Sequence, residues 1–227
     1  MICKQILPCV RGLRLKNQFQ LKTGQLKGKH AKTHEKPQIA PIVVGNSCRS
    51  ADQVRACVRF LDARPNAKCS EDGKSYLLLN PDNRSLLGLR LDHGAFETTA
   101  FHKCDYAFML LKQKQRKDEP NEPECVILIE LKGDEVKKSL TQLNDTLDLP
   151  ELQDLYQTAG KVYGRIATSG ENPRKTEVPN MNRLFEQKRR LARRFQKLNG
   201  NLKIRGIEFE ESCDKLDLLD VKRDLVL

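Results

Sequence analysis

Three charged residues, Asp105, Glu130 and Lys132, flank two otherwise apolar segments in a way that would bring them together. The run Cys125-Val126-Ile127-Leu128-Ile129 has the composition of a strand buried on both faces. It then carries a carboxylate at Glu130 and an ammonium at Lys132 before stopping at Gly133. Charges at the end of a core strand are costly unless they are paired or functional. Glu130 and Lys132 are two apart, so they leave the strand on one face. Upstream, the segment 104–112 (CDYAFMLLK) opens with Asp105. Setting Lys112 opposite Cys125 in an antiparallel pair places Asp105 across from Lys132. A slip of one or two residues still leaves Asp105 within about 5–8 Å of Glu130 and Lys132.

Two carboxylates a few ångströms apart repel unless a proton or a cation sits between them. An all-oxygen donor set suits a hard Mg²⁺ or Mn²⁺, with the Leu131 carbonyl as a further ligand. Such an ion lowers the pKa of bound water and polarises a phosphoryl oxygen. Lys132 could orient or deprotonate that water, or stabilise charge on a pentavalent phosphorus. The competing structural reading is a cross-strand Asp105–Lys132 ion pair with Glu130 solvated at the strand end.

The residues CDYAFMLL followed by CVILIELKG resemble the D…ExK signature of the PD-(D/E)xK, or restriction-endonuclease-like, nuclease superfamily. In that family the Asp opens one strand of a hairpin and the E-x-K closes the next, as Asp105 and Glu130-Leu131-Lys132 would here. The resemblance implies an α/β fold with an αβββαβ core, its mixed central sheet flanked by helices. It covers roughly residues 50–170. It also implies that Asp105, Glu130 and Leu131 hold Mg²⁺ or Mn²⁺, that Lys132 assists the attacking water, and that Gln142 on the following helix positions it. No proline precedes Asp105, and the early helix lacks an obvious acidic residue; Asp52, Asp62, Asp92 and Glu97 are the weak candidates for that role.

The elements that must position these residues follow from periodicity. SADQVRACVRFLDARP (50–65) reads as a helix with Val54, Cys57, Val58 and Leu61 on one face and Ser50 as its cap. SYLLLN (75–80) and SLLGLRLD (85–92) read as strands joined by a hairpin turn at PDNR. QKQRKDEPNEPE (113–124) reads as a solvated loop. A helix over 134–147 presents Val136, Leu140, Leu143 and Leu147, with Asp134 as cap. KVYGRIATS (161–169) reads as a strand, 181–200 as a basic amphipathic helix stopped by Gly200, and NLKIRGIEF (201–209) as a last strand.

The 227 residues carry a net charge of +11, and its placement tells more than its total. Residues 1–40 hold nine Lys/Arg and one acid; residues 161–205 hold thirteen and three, so the remainder is mildly acidic. The first block reads as a flexible basic arm over 1–41, ahead of a nuclease-like domain over 42–227. In the second, Lys188, Arg189, Arg190, Arg193, Arg194 and Lys197 crowd one helix. Like charges at i, i+4 repel, so such crowding points to a phosphate partner. The eight cysteines form no CxxC pair, and with His30, His34, His93 and His102 make no zinc spacing. They read as reduced thiols of a cytoplasmic protein. No stretch approaches eighteen apolar residues, so no transmembrane helix is expected.

The expectation is a metal-dependent nuclease hydrolysing phosphodiester bonds, with DNA the favoured substrate and a homodimer or protein partner allowed. Its main rival is a non-catalytic nuclease-like subunit that keeps the fold to bind nucleic acid or protein. A third reading is a nucleic-acid adaptor whose ExK is accidental.

Overall fold

The computed structural model describes residues 6–15, 39–41, 57–71, 73–96, 102–116, 119–132, 136–168, 178–206 and 211–215. Along the chain come α1 (Ile6–Gly12), β1 (Leu13–Leu15), β2 (Ile39–Pro41), β3 (Val58–Ala63), β4 (Asn66–Glu71), β5 (Lys74–Leu79) and β6 (Ser85–Arg90). An irregular turn, Leu91–Ala95, leads to β7 (Tyr106–Leu111) and β8 (Pro123–Lys132). Then follow α2 (Val136–Leu147), α3 (Pro150–Ala159), β9 (Val162–Thr168), α4 (Val178–Lys197), β10 (Leu202–Gly206) and β11 (Glu211–Lys215).

The protein is α/β, built on a mixed six-stranded sheet in the order β10-β9-β8-β7-β6-β3. Neighbours from β3 to β8 are antiparallel, and β8, β9 and β10 are parallel. The parallel crossovers are made by α2–α3 and by α4, as parallel neighbours require. Strand alternation divides the core in two. Val126 and Leu128 of β8 point with Ala107 and Met109 of β7 into a cluster closed by α1, α2, α3 and α4. Ile127 and Ile129 point with Phe108 into a cluster closed by a small sheet of order β11-β5-β4. Burial on both faces is why β7 and β8 read as unbroken apolar runs.

Several sequence expectations need correction. The helix expected over 50–62 is shortened: Cys57 is helical, but Val58–Ala63 is β3, paired with β6, and 50–56 lie outside the described residues. Short apolar runs of β-branched and aromatic residues fit either period, and pairing decides. The strands flanking PDNR are not a hairpin: β5 belongs to the small sheet and β6 to the large one. Asn80 holds this corner, its side-chain amide donating to the carbonyls of Arg64 (2.7 Å) and Arg84 (2.8 Å). α3 was not read from the sequence, although Leu152, Leu155, Tyr156 and Ala159 share its buried face and Gly160 ends it at φ 70°. β4 and β11 were also missed.

The basic arm is corrected at its start. Ile6, Leu7, Val10 and Leu13 are buried in the helix-side core. Asn121, itself buried, donates to the carbonyls of Val10 (3.0 Å) and Leu13 (2.7 Å), so the loop before β8 is not wholly solvated. Arg11 pairs with Glu122 at 2.7 Å. The expected cap Asp134 lies outside the described residues. At the end of α4 the left-handed residue is Asn199 (φ 56°) rather than Gly200. Gly200 serves close approach instead, because a Cβ there would lie 1.8 Å from the Val162 carbonyl oxygen.

Candidate active site

The register of β7 against β8 differs by two residues from the expected one. Cys125 pairs with Leu110, and a bulge follows before Leu111 meets Pro123. The Lys112 N–H reaches the Glu122 carbonyl at 2.8 Å and closes the hairpin earlier than the loop composition implied. Tyr106 therefore faces Ile129, and continuing that register sets Asp105 across from Glu130 rather than Lys132. A shift of two keeps every side chain on its face. Asp105, Glu130 and Lys132 all lie on the helix-covered face, at the end where β7 begins and β8 stops.

Asp105 is locked by the backbone. Its Oδ2 accepts the Leu131 N–H at 2.7 Å, and its own carbonyl accepts the Leu91 N–H at 2.8 Å. In a strand the N–H and C=O of one residue point to the same side. The Leu131 carbonyl is thus directed toward Asp105, past the last β7 pair. Glu130 is 0 % exposed, and neither of its oxygens accepts a well-formed hydrogen bond. Lys132 Nζ lies 3.3 Å from Glu130 Oε1 as an ion-pair contact.

Burial dominates the electrostatics. It pushes the Glu130 carboxyl up to about 9, with Asp105 adding repulsion and Lys132 opposing both. Asp105 is raised to about 7, again by burial; the Leu131 N–H works against this, and Glu71 and Asp92 add to it. Lys132 is partly desolvated, which alone would lower its pKa, but Glu130 and Asp105 outweigh that and hold it above the ordinary lysine value. Without a cation the two buried carboxyls therefore resist ionising together beside the charged amine.

Gln142 is buried on α2, where its Nε2 donates to the Lys103 carbonyl at 2.9 Å while its Oε1 has no hydrogen bond. One turn on, Thr146 Oγ1 accepts the Cys104 N–H at 2.8 Å. These two bonds tie α2 to the segment that delivers Asp105, so Gln142 braces the site from behind. The carboxylates that sequence reasoning did not place here are Glu71, at the end of β4, and Asp92, which was weighed only as an early-helix acid. Both act on Asp105 across sheet or turn boundaries that no local spacing announces.

The basic cluster divides. On α4, Leu191 and Phe195 are buried, while Arg189, Arg190, Arg193 and Lys197 are exposed and Lys188 is half-buried. Arg194 is engaged within the protein: it pairs with Asp148 (2.5 and 3.0 Å) and donates to the Asn144 side chain at 2.6 Å. Arg189 makes a looser contact with Glu186 at 3.4 Å. Phe195 packs over Gly164, so α4 runs back along β9 with its earlier residues toward the end holding Lys132.

Among the described residues, no three His, Cys, Asp or Glu side chains form a ready-made metal cage. The donors nevertheless fit a hard cation, because Glu130 offers two buried oxygens that accept no hydrogen bond, one of them 3.3 Å from Lys132 Nζ, and Asp105 one further oxygen. Mg²⁺ commonly takes one or two protein carboxylates and keeps several waters. Among the described residues Cys9, Cys57, Cys69, Cys104 and Cys125 form no disulfide, and no helix is long and apolar enough to cross a membrane. No protein-family model, curated protein or solved structure matches this chain.

Proposed function

We propose that this protein is a metal-dependent nuclease of the restriction-endonuclease-like kind, acting on DNA in preference to RNA. The observation that carries the reading is Glu130: a fully buried carboxylate, both oxygens without hydrogen bonds, facing Asp105 across the hairpin and 3.3 Å from Lys132. A buried carboxylate that accepts no hydrogen bond costs stability, and a cation-binding task accounts for that cost. The order β6-β7-β8, then α2–α3, then parallel β9 supports a core of that kind.

In this reading Asp105 and Glu130 hold Mg²⁺ or Mn²⁺, with the Leu131 carbonyl directed to the same place. When bound, the cation supplies an activated water and polarises the phosphoryl oxygen. The raised pKa of Lys132 keeps it protonated near neutral pH, which suits charge stabilisation on phosphorus better than proton abstraction. Gln142 fixes the 103–105 segment that presents Asp105. Arg189, Arg190, Arg193 and Lys197, with Lys188 beside them, take backbone phosphates, giving salt-sensitive affinity with little sequence preference.

A second reading, a non-catalytic subunit binding nucleic acid or protein, is favoured by the enclosure of the site. Asp105 is 4 % exposed and Glu130 0 %, while the Lys132 side chain reaches 26 %. Labelled DNA and RNA of several shapes, incubated with Mg²⁺, Mn²⁺ or EDTA, separate the two. Cleavage that needs the divalent ion is the expected result. Binding without cleavage in every condition would overturn the enzyme in favour of the subunit.

A further inference from the structure

Among the described residues one large apolar side chain is left exposed, Phe185 of α4, at 38 %. The inward face of that helix is filled without it, by Leu191 and Phe195 with Leu184 and Leu198 packed beside them. Phe185 stands instead at the edge of the charged face. Arg189 follows it by one turn and Arg193 by two, and both are exposed. Arg190 and Lys197 are exposed on the same side, and Glu186 is the single acid of the helix. The ring is also level with the candidate active site. Phe195 lies over Gly164 of β9, and Phe185 precedes it by about 15 Å of helix. Gly164 to Thr168 spans about 13 Å of strand, and Thr168 is the strand partner of Lys132. Arg194 gives the same direction, because its bonds to Asn144 and Asp148 set the late turns of α4 beside the end of α2. The early turns of α4 then lie toward the start of α2, which follows Lys132 in the chain.

We propose that Phe185 is a stacking platform for an unpaired nucleobase, so that the protein binds DNA carrying a single-stranded segment whose phosphates lie on Arg189, Arg190 and Arg193. The inference rests on the reading of α4 as a phosphate-binding face. In a duplex the bases present only their edges, in the grooves. An unpaired base offers a flat π-face to an aromatic ring, whatever its sequence. A phenyl ring set among cations therefore favours unpaired strands, where cations alone would take either form. One ring is a small apolar patch for a protein partner to cover, whereas a single base covers it. Its level along the sheet brings the unpaired segment to the end of the molecule that carries Asp105, Glu130 and Lys132.

The test is fluorescence-anisotropy binding of the full chain, in EDTA so that no cleavage intervenes. The probes are a labelled oligothymidine strand and a blunt duplex of the same length. Phe185→Ala is expected to bind the single strand about five- to a hundred-fold more weakly and the duplex like wild type. Phe185→Trp should keep the single-strand affinity of wild type. The chain has no other tryptophan, so its emission should be quenched by the strand and not by the duplex. Replacing Arg189, Arg190 and Arg193 together by Gln should weaken binding of both probes. Wild-type affinity of that triple variant for both overturns the phosphate face, and the stacking with it. Weakening in the triple variant, with unchanged single-strand affinity in Phe185→Ala, overturns the stacking alone. Equal weakening of both probes by Phe185→Ala makes the ring a structural residue and overturns the proposal as well. If a thermal melt shows that Phe185→Ala does not fold, Phe185→Trp carries the test, and single-strand binding without quenching overturns the proposal.

Discussion

Replacing Glu130 by Gln should flatten the dependence of stability on pH. In the folded protein burial raises the Glu130 carboxyl from 4.5 to about 9. Between those values the folded state keeps a proton that the unfolded chain has released. The unfolded state binds fewer protons there, so stability falls as pH rises, and the loss is complete only above the folded value. One such group contributes at most about 1.4 kcal/mol per pH unit, hence up to about 2.7 kcal/mol between pH 6 and pH 8. Gln cannot ionise in either state, so this contribution disappears from the variant. The absolute stability at one pH is a poorer readout, because a buried amide beside the Lys132 ammonium has its own cost of about 1–3 kcal/mol. Urea denaturation in EDTA at pH 6, 7 and 8 gives the slope directly. Wild type should lose at least 1 kcal/mol more than Glu130→Gln across that interval, an outcome that water penetration could halve but not erase. Parallel lines for the two proteins would show that Glu130 ionises normally in the folded state, and the account of a desolvated carboxylate would fail. Saturating Mn²⁺ should restore wild-type stability at pH 8 and leave the variant unchanged.

Three further outcomes are expected. Lys132→Ala should lower the cleavage rate by about 10²–10³-fold while leaving nucleic-acid affinity near wild type, as measured by single-turnover cleavage and by binding in EDTA. Replacing Arg189, Arg190 and Arg193 together by Gln should weaken duplex binding and lower the slope of log K against log salt by up to about 0.9 per lost contact; Arg194→Gln should instead cost stability, because its partners are Asp148 and Asn144. Ile6→Ala should destabilise by about 2–5 kcal/mol in a chemical melt, since Ile6 is 1 % exposed in the core under α1; no loss would mean that this helix does not pack.

How much of the site was legible depends on how local its determinants are. Glu130 and Lys132 share a face because a strand alternates with a period of two, a property of the chain itself. The strand was plain from Cys125 to Ile129, since residues buried on both sides leave an unbroken apolar run. α2 likewise followed from Leu140, Leu143 and Leu147 at helical spacing. Pairing is another matter. Whether Asp105 faces Glu130 or Lys132 was decided by a bulge and by where the 112–122 loop closes, neither of which strand composition specifies.

The same reason governs the other differences. Val58–Ala63 carries apolar residues that fit a helix as well as a strand, and the vacant edge of β6 chose the strand. α1 looked like a basic arm because its charge is obvious in sequence, whereas the groove that receives Ile6 and Val10 is made by residues far along the chain. Arg194 resembled its neighbours until Asp148 was placed opposite it. Glu71 gave no signal, because its pairing with Arg90 depends on two sheets meeting at one end. The sequence by itself determined which residues alternate, which face of each helix is apolar and which residues could bind a hard cation. The tertiary structure alone decided which charges are buried, which are already paired and which converge, because burial and proximity belong to partners distant in sequence.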